Sequence, residues 1–202
     1  MSLKLKPMDI LINQDFHDMI AALISAVDAK DPCTAGHSER VAGLSLQIAE
    51  ALGRSAGEKE VIHIASHLHD IGKIGVDDYI LKKQGQLTAN EYNQIKRHPE
   101  IGYHILLKVR SLRAVSLIVR HHHERYDGRG YPDGLSGDDI PIGSQIIFLA
   151  EAIDAMTSER PYRQKLTLLE ATKEVKRCSG SQFDPAVVEV ILSWEDQEII
   201  GP

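Results

Sequence analysis

Apolar residues recur at helical spacing along almost the whole chain, and this pattern constrains the fold more than any other feature of the sequence. Ile20, Leu23 and Val27 fall on one face of a helix, because residues three and four apart lie on the same side of a helical cylinder. Strand-like alternation is nearly absent. Helices are predicted over residues 16–27, 41–52, 58–71, 88–98, 111–123 and 141–156, from 167 onward, and over 185–194.

Signals at helix ends support several of these boundaries. Thr88 is followed three residues later by Glu91, which is a capping box that begins a helix. Gly53 ends the second helix, and Pro141 suits a first helical turn. Residues 145–149 are open to either a strand or a helix, but they lie inside a longer helical window.

The sequence therefore predicts an all-α fold, a single compact helical domain of about seven or eight helices. Residues 1–30 are predicted to be an N-terminal connector helix region, and residues 31–202 the domain itself. The only long irregular stretch covers residues 126–140 and is rich in glycine. A loop of this length inside a helical domain is more often functional than idle.

Composition excludes several classes of protein. The 202 residues carry 23 Lys and Arg against 29 Asp and Glu, a formal charge of −6, which argues against a nucleic-acid polymer as partner. No apolar run approaches the ~20 residues that a membrane span requires. The two cysteines, Cys33 and Cys178, form no CxxC motif, so we expect no disulfide framework and a cytoplasmic location.

Histidine is unusually frequent, with ten residues in the chain. His69 and Asp70 end an apolar helix, and a buried carboxylate is costly unless a cation compensates its charge. Imidazole and carboxylate ligands suit iron, manganese, nickel or zinc. One aspartate can bridge two cations ~3.5–4 Å apart, the arrangement that activates water against phosphorus. Further candidates at helix ends or in an apolar helix are His37, His98, His122, His123 and Glu151.

Each of these positions also has an ordinary interpretation. His37 alone would be a polar residue at a helix start, and the run 121–123 could be a solvated helix end. His98 would be a loop residue, and Glu151 could pair with a buried arginine. A metal site is the better hypothesis because five histidines and two acids lie where they could converge.

Three stretches of sequence form one pattern: HDIGK at residues 69–73, His98, and HHERYDGRGYP at residues 122–132. This pattern resembles the HD-GYP domain of bacterial phosphodiesterases, with supporting matches in HSERV at 37–41 and TSERPYR at 157–163. The resemblance covers about residues 30–195. It implies an all-helical domain of the HD superfamily that binds two or three metal ions, often iron or manganese, and hydrolyses cyclic di-GMP.

The resemblance also implies roles for individual residues. One metal would be held by His37, His69, Asp70 and Glu151. The second would be held by His98, His122 and His123, with Asp70 as the bridge. The metals would be iron or manganese first, with nickel or zinc as alternatives. No ligand role is expected for His17, His63, His67, His104 and His121.

The chemistry that follows is hydrolysis by a hydroxide that bridges the two metals and attacks phosphorus in line. Lys73 would hydrogen-bond a phosphoryl oxygen or protonate the leaving group, and Asp154 would orient a ligand or Lys73. Arg160 and Arg163 match positions that hold the phosphates. Gly130 and Tyr131 would shape the substrate wall, with the tyrosine able to stack or to hydrogen-bond.

Glu151 and Cys33 are two of the positions that depart from the family pattern. Glu151 stands where the family usually has Asp, which moves the carboxylate by ~1.5 Å. Cys33 stands where three-metal relatives have a glutamate, four residues before His37. A thiol with a pKa of ~8.5 is mostly protonated at neutral pH, so we expect two metals and Cys33 as a bystander. The alternative is a thiolate ligand to a softer metal.

Three functions remain open at this point. The first is a metal-dependent phosphodiesterase that hydrolyses cyclic di-GMP, and the second is a non-catalytic cyclic di-GMP receptor. The third is a phosphohydrolase that acts on pGpG or on another cyclic dinucleotide. Family members usually follow a sensor or receiver domain, so the expected partners are a sensor, a receiver or a diguanylate cyclase. A homodimer through the N-terminal helix is a further hypothesis.

Overall fold

Helices make up most of the described chain. The computed structural model describes residues 7–31, 36–158 and 165–195, with side chains for residues 16, 18–31, 36–158 and 165–194. Within these ranges there are ten α-helices and no strand beyond two isolated bridges. The helices are α1 (Pro7–Lys30), α2 (His37–Ala51), α3 (Ala56–Leu68), α4 (Asp78–Leu81), α5 (Ala89–Ile95), α6 (His98–Leu106), α7 (Arg113–His121), α8 (Ile142–Thr157), α9 (Leu168–Arg177) and α10 (Pro185–Glu195).

The apolar stripes predicted from the sequence meet in one core. α2 packs against α3 and α8, α3 and α6 pack against α7, and α9 and α10 cover α8. Val41, Ala65, Val119 and Ile147 are fully buried where these helices meet. The all-α prediction is confirmed, and residues 145–149 are helical, inside α8.

The helix boundaries follow local signals. Thr88 caps α5 with Glu91 as predicted, and equivalent capping boxes begin α3 at Ser55 and α9 at Thr167. The helix predicted over 88–98 ends at Ile95, and α6, which is not predicted from the sequence, begins at His98. Pro99 lacks a backbone N–H and suits the first turn of α6 rather than a continuation of α5.

A 3-10 turn follows α3, so that helix ends at Leu68 and not at residue 71 as predicted. This turn, Ile71–Gly75, lies against α6. A Cβ at Gly72 would collide with the backbone carbonyl oxygen of His98 and would lie 2.6 Å from the nitrogen of Gly102. Glycine is therefore required here, and the close approach brings the end of α3 to the start of α6.

The second half of α1 contributes to the same core. Ile20, Ile24 and Val27 are buried against it, and α1 packs on α3 and on the 3-10 turn after α3. The domain boundary at residue 30 stays a prediction, but these side chains are packed residues rather than a solvated connector. None of the described helices combines the length and the apolar character that a membrane crossing needs.

Candidate metal centre

Three of the predicted ligands lie at helix ends. His69 is the C-cap of α3, His98 follows α5, and His122 is the C-cap of α7. The Nδ1 atom of each ring contacts the carbonyl oxygen three residues earlier, at 2.7 Å for Ser66, 2.8 Å for Ile95 and 2.6 Å for Val119. A carbonyl oxygen only accepts, so each Nδ1 carries the proton and each Nε2 keeps its lone pair. The partial negative charge of a helix C-terminus also favours a cation nearby.

His98 and His122 point these lone pairs at one another. Their Nε2 atoms are 3.2 Å apart, and both rings are buried. With both Nδ1 atoms protonated, two neutral rings place acceptor against acceptor, which is unfavourable. A cation between them would convert this contact into coordination, so the residues fit a metal ion. Together with His123, these rings form a group whose ligand atoms lie within 4.8 Å of one another.

A second group consists of His37, His69 and Asp70, again with ligand atoms within 4.8 Å of one another. The Nε2 atom of His69 is buried, has no hydrogen-bond partner and lies 3.5 Å from a carboxylate oxygen of Asp70. His37 Nδ1 lies 2.6 Å from Asp154 Oδ2. This carboxylate–histidine contact leaves Nε2 of His37 for a cation, as is common around ligating histidines.

Asp70 lies between the two groups. Its Oδ2 is 3.5 Å from His69 Nε2 and its Oδ1 is 3.4 Å from His98 Nε2. Burial raises the pKa of Asp70, but the ammonium of Lys73 lowers it, and the net pKa lies well below its ordinary value. Asp70 is therefore ionised and offers one oxygen to each group.

The histidines of the first group are neutral at physiological pH. Burial lowers the pKa of His98 to about 4 and that of His123 to about 3, and it lowers the pKa of His122 well below the ordinary value. Neutral imidazole is the form that binds metal ions. The three rings therefore need lose no proton before a cation binds.

Glu151, which the sequence-based ligand set groups with His37, lies on α8. Its Oε2 atom is 3.8 Å from Nδ1 of His123. The same oxygen is buried without a hydrogen-bond partner. Glu151 belongs to neither compact group, but it presents an unpaired oxygen beside the one that contains His123.

Lys73 and Asp154 have specific partners. Lys73 Nζ lies 2.8 Å from Asp70 and 3.1 Å from Asp31. Burial lowers the pKa of Lys73, but the two carboxylates more than compensate and the net pKa is raised. Asp154 contacts His37 and Arg40. The sequence predicts a contact with a ligand or with Lys73, and the structure has the contact with the candidate ligand His37.

The glycine-rich loop over residues 126–140 begins beside the metal centre. The Tyr131 ring packs on that of His123, with centroids 4.9 Å apart and planes at 30°. Gly130 approaches the chain itself: a Cβ there would lie 2.6 Å from the carbonyl oxygen of His123 and would collide with the nitrogen of Arg125. Gly130 therefore lies directly against the backbone of the residues that precede the loop, and Tyr131 follows it beside His123.

Hydrogen bonds join this loop to the end of α7 and to Glu124, which follows it. Oε1 of Glu124 accepts hydrogen bonds from the backbone nitrogens of Asp133 and Gly134, at 2.7 and 3.0 Å. Asp133 also binds Arg120 through both carboxylate oxygens and lies 2.9 Å from Nε2 of His121. His121 thus serves the loop and is not a member of either ligand group.

Other predicted residues lie away from the groups or outside the described ranges. His63 and His67 face each other on α3 with Nε2 atoms 3.3 Å apart, and His104 is exposed on α6. Sequence reasoning missed Asp31 and Arg40, which contact Lys73 and Asp154, and the sequence carries no signal that pairs them over such separations. Arg160, Arg163, Cys33 and the side chain of His17 lie outside the described residues.

Comparisons with known proteins agree with this fold and site. A family model of the HD domain matches residues 21–187. The chain is 40% identical over 182 residues to the cyclic di-GMP phosphodiesterase response regulator RpfG of Xanthomonas campestris, covering 89% of this chain and 48% of that protein. It is 36% identical over 184 residues to the 3′3′-cGAMP-specific phosphodiesterase 2 of Vibrio cholerae, covering 90% and 35%.

Among solved structures, a cyclic GMP-AMP-specific phosphodiesterase of V. cholerae superposes with a TM-score of 0.70 at 21% identity, over 91% of this chain and 48% of that one. The structure thus combines an all-helical fold with two adjoining groups of candidate ligands, one of three histidines and one of two histidines and an aspartate. The chain belongs to the HD domain family. It spans half or less of the length of the two curated relatives named above. HD phosphohydrolases bind divalent metal ions, and the two groups of histidine and aspartate could hold such ions.

Proposed function

We propose that this chain is a metal-dependent phosphodiesterase that opens a cyclic dinucleotide, either cyclic di-GMP or 3′3′-cGAMP. The observation that carries the proposal is the position of Asp70, with one oxygen toward His69 and the other toward His98. A carboxylate shared by two histidine groups suits a pair of cations that act on one phosphate. We propose iron or manganese for both sites.

Each group would supply ligands to one ion. His98, His122 and His123 would hold one ion, and His37, His69 and Asp70 would hold the other, with Asp70 shared between the two ions. Glu151 would add its unpaired oxygen on the side of His123. Bound divalent ions supply Lewis acidity toward a phosphoryl oxygen and lower the pKa of water toward neutrality.

The remaining residues of the site would act on the substrate and on the ligands. Lys73 is held as an ammonium by Asp31 and Asp70, where it can donate a hydrogen bond to a phosphoryl oxygen. Asp154 would keep Nδ1 of His37 protonated, so that Nε2 stays a ligand. Both side chains are in place before a substrate arrives, and such preorganisation lowers the cost of reaching the transition state.

The names of the relatives support a cyclic dinucleotide as the substrate class. RpfG is named for cyclic di-GMP, and the V. cholerae relative for 3′3′-cGAMP. Both share more than a third of their matched residues with this chain. Neither name decides between the two nucleotides, which differ in one base.

Turnover by protein purified without oxygen and reconstituted with Fe(II) or Mn(II) tests the proposal. The substrates are cyclic di-GMP, 3′3′-cGAMP and linear pGpG, and chromatography identifies the products. We expect a cyclic dinucleotide to be opened, and we expect Asp70→Ala to abolish turnover while circular dichroism stays helical. Tight binding of cyclic di-GMP by the metal-loaded protein with no product would instead establish a receptor.

Location and assembly are proposed separately. We expect a cytoplasmic protein whose activity is controlled by a sensor, a receiver or a diguanylate cyclase partner, because one matched relative is a response regulator. We also propose a homodimer through α1, on which Met19 and Leu23 are exposed. Light scattering of the chain and of a Met19→Lys, Leu23→Lys double variant tests the dimer, which the variant should abolish.

A further inference from the structure

Lys96 lies at the edge of the metal centre, in a setting that its sequence position does not reveal. It is the C-cap of α5, two residues before His98. Its Nζ atom is 5.2 Å from the ring centroid of Tyr131 and 4.9 Å from that of Tyr92. Two aromatic faces therefore attract and orient the ammonium.

This ammonium is close to the proposed ligands. The Tyr131 centroid is 4.9 Å from that of His123, so Nζ of Lys96 is at most about 10 Å from the His123 ring. The Tyr131 ring thus contacts both the His123 ring and the Lys96 ammonium. Tyr92 is 47% exposed, which leaves this cation accessible from solvent.

Lys96 differs from its neighbours in having no carboxylate partner. Lys83, in the turn before α5, is 2.7 Å from Glu91, and Lys73 is bound by two carboxylates. In the described part of the chain no acidic side chain pairs with Lys96. An oriented and unneutralised cation at the mouth of a site is a ready partner for an anionic group of a ligand.

A cyclic dinucleotide has such a group to offer. It contains two phosphates on opposite sides of one macrocycle, and the metal centre acts on only one of them. The second phosphate carries a full negative charge and lies several ångströms from the first. We propose that Lys96, held between Tyr92 and Tyr131, binds the phosphate of the cyclic dinucleotide that is not cleaved. This inference rests on the proposed function and adds a substrate-binding residue to it.

The decisive comparison uses two substrates, cyclic di-GMP and bis(p-nitrophenyl) phosphate. The second compound has a single phosphate and therefore reports on the metal centre alone. Lys96→Met should raise the KM for cyclic di-GMP at least tenfold and leave kcat within about twofold. The same variant should leave both constants for bis(p-nitrophenyl) phosphate within about twofold, and Lys96→Arg should restore most of the affinity because it keeps the charge and the aromatic contacts.

Lys108→Met is the matched control, since Lys108 is an exposed lysine just past the opposite end of α6. It removes the same charge and should change neither substrate's constants. Calorimetric binding of a non-hydrolysable phosphorothioate analogue of cyclic di-GMP gives a readout without turnover. We expect Lys96→Met to weaken this binding at least tenfold.

An equal loss on both substrates would overturn the inference, because it would mean that Lys96 only supports the metal centre. An unchanged KM and an unchanged affinity for the analogue would overturn it as well. Failure of the proposed function has a different signature. In that case the wild-type protein cleaves bis(p-nitrophenyl) phosphate but neither cyclic dinucleotide, and the analogue titration still decides whether Lys96 binds a phosphate.

Discussion

Replacing Asp70 by Asn should remove most of the thermal stabilisation that metal ions confer. Asn has nearly the same shape but no charge, and the carboxylate oxygens of Asp70 lie 3.5 Å from Nε2 of His69 in one group and 3.4 Å from Nε2 of His98 in the other. The loss of a shared ligand should weaken both sites at once. His37→Ala should instead weaken metal binding at one group alone, because His37 belongs only to the group with His69.

The magnitude follows from mass action. A cation at 100 times its dissociation constant stabilises the folded state by ~2.7 kcal/mol per site, so two sites give ~5 kcal/mol. For a domain of this size that is a rise in Tm of ~10–20 °C. If Asp70→Asn weakens both sites 100-fold, each retains only ~0.4 kcal/mol at the same metal concentration, and the rise shrinks to ~2–3 °C. His37→Ala should keep about half of the wild-type shift.

Differential scanning calorimetry of chelator-stripped protein, with and without Mn(II), measures this shift. Each variant is compared with its own metal-free form, because Asp70→Asn also removes the 2.8 Å contact with Lys73 and so alters the metal-free Tm. His104→Ala, an exposed histidine on α6, should retain the full shift. A wild-type protein without a shift, or an Asp70→Asn protein with the full one, would refute the shared-ligand reasoning.

Four further predictions follow. Asp154→Asn should lower metal affinity ~10–100-fold in a Mn(II) titration, and unchanged affinity would mean that the His37 contact orients nothing. Lys73→Met should reduce kcat ~100-fold or more with metal content intact, and normal turnover would exclude it from the chemistry. Gly130→Ala should lower the Tm and activity together, because its Cβ meets backbone, and a wild-type Tm would contradict that collision. Hydrogen bonds from Arg120 lower the pKa of Asp133 to about 2. The ionised Asp133 therefore stabilises the folded state fully above pH ~4, and this stabilisation is lost as the pH falls toward about 2. Asp133→Asn should flatten this part of the Tm–pH curve, and an unchanged curve would contradict the prediction.

Sequence periodicity predicts most of the helices because apolar residues three and four positions apart lie on one face of a helix. It predicts one helix over 88–98, but α5 ends at Ile95, and α6, which begins at His98 with Pro99 in its first turn, is not predicted. Likewise it extends α3 past Leu68, because the 3-10 turn that follows is itself apolar and depends on a contact of Gly72 with another helix. Such contacts between distant segments leave no periodic trace.

The site divides in the same way. Motif matching predicts the ligand histidines because they lie in short, contiguous strings. The partners of those residues are distant in sequence: Asp154 is 117 positions from His37, and Asp31 is 42 positions from Lys73. The 3.8 Å contact of Glu151 with His123 likewise depends on how α8 packs against α7, which the sequence does not show.

The contacts between three of the candidate ligand histidines and the carbonyl oxygens three positions earlier have a consequence for protein engineering. For His69, His98 and His122, a span of four residues fixes the aim of the free nitrogen, because the other nitrogen is tied to the backbone three positions earlier. The direction of the free imidazole nitrogen is therefore set by the helix terminus itself and not by the rest of the fold. Placing a histidine directly after the last turn of three unrelated helices, and bringing those termini together, should reproduce a cation site without copying this fold.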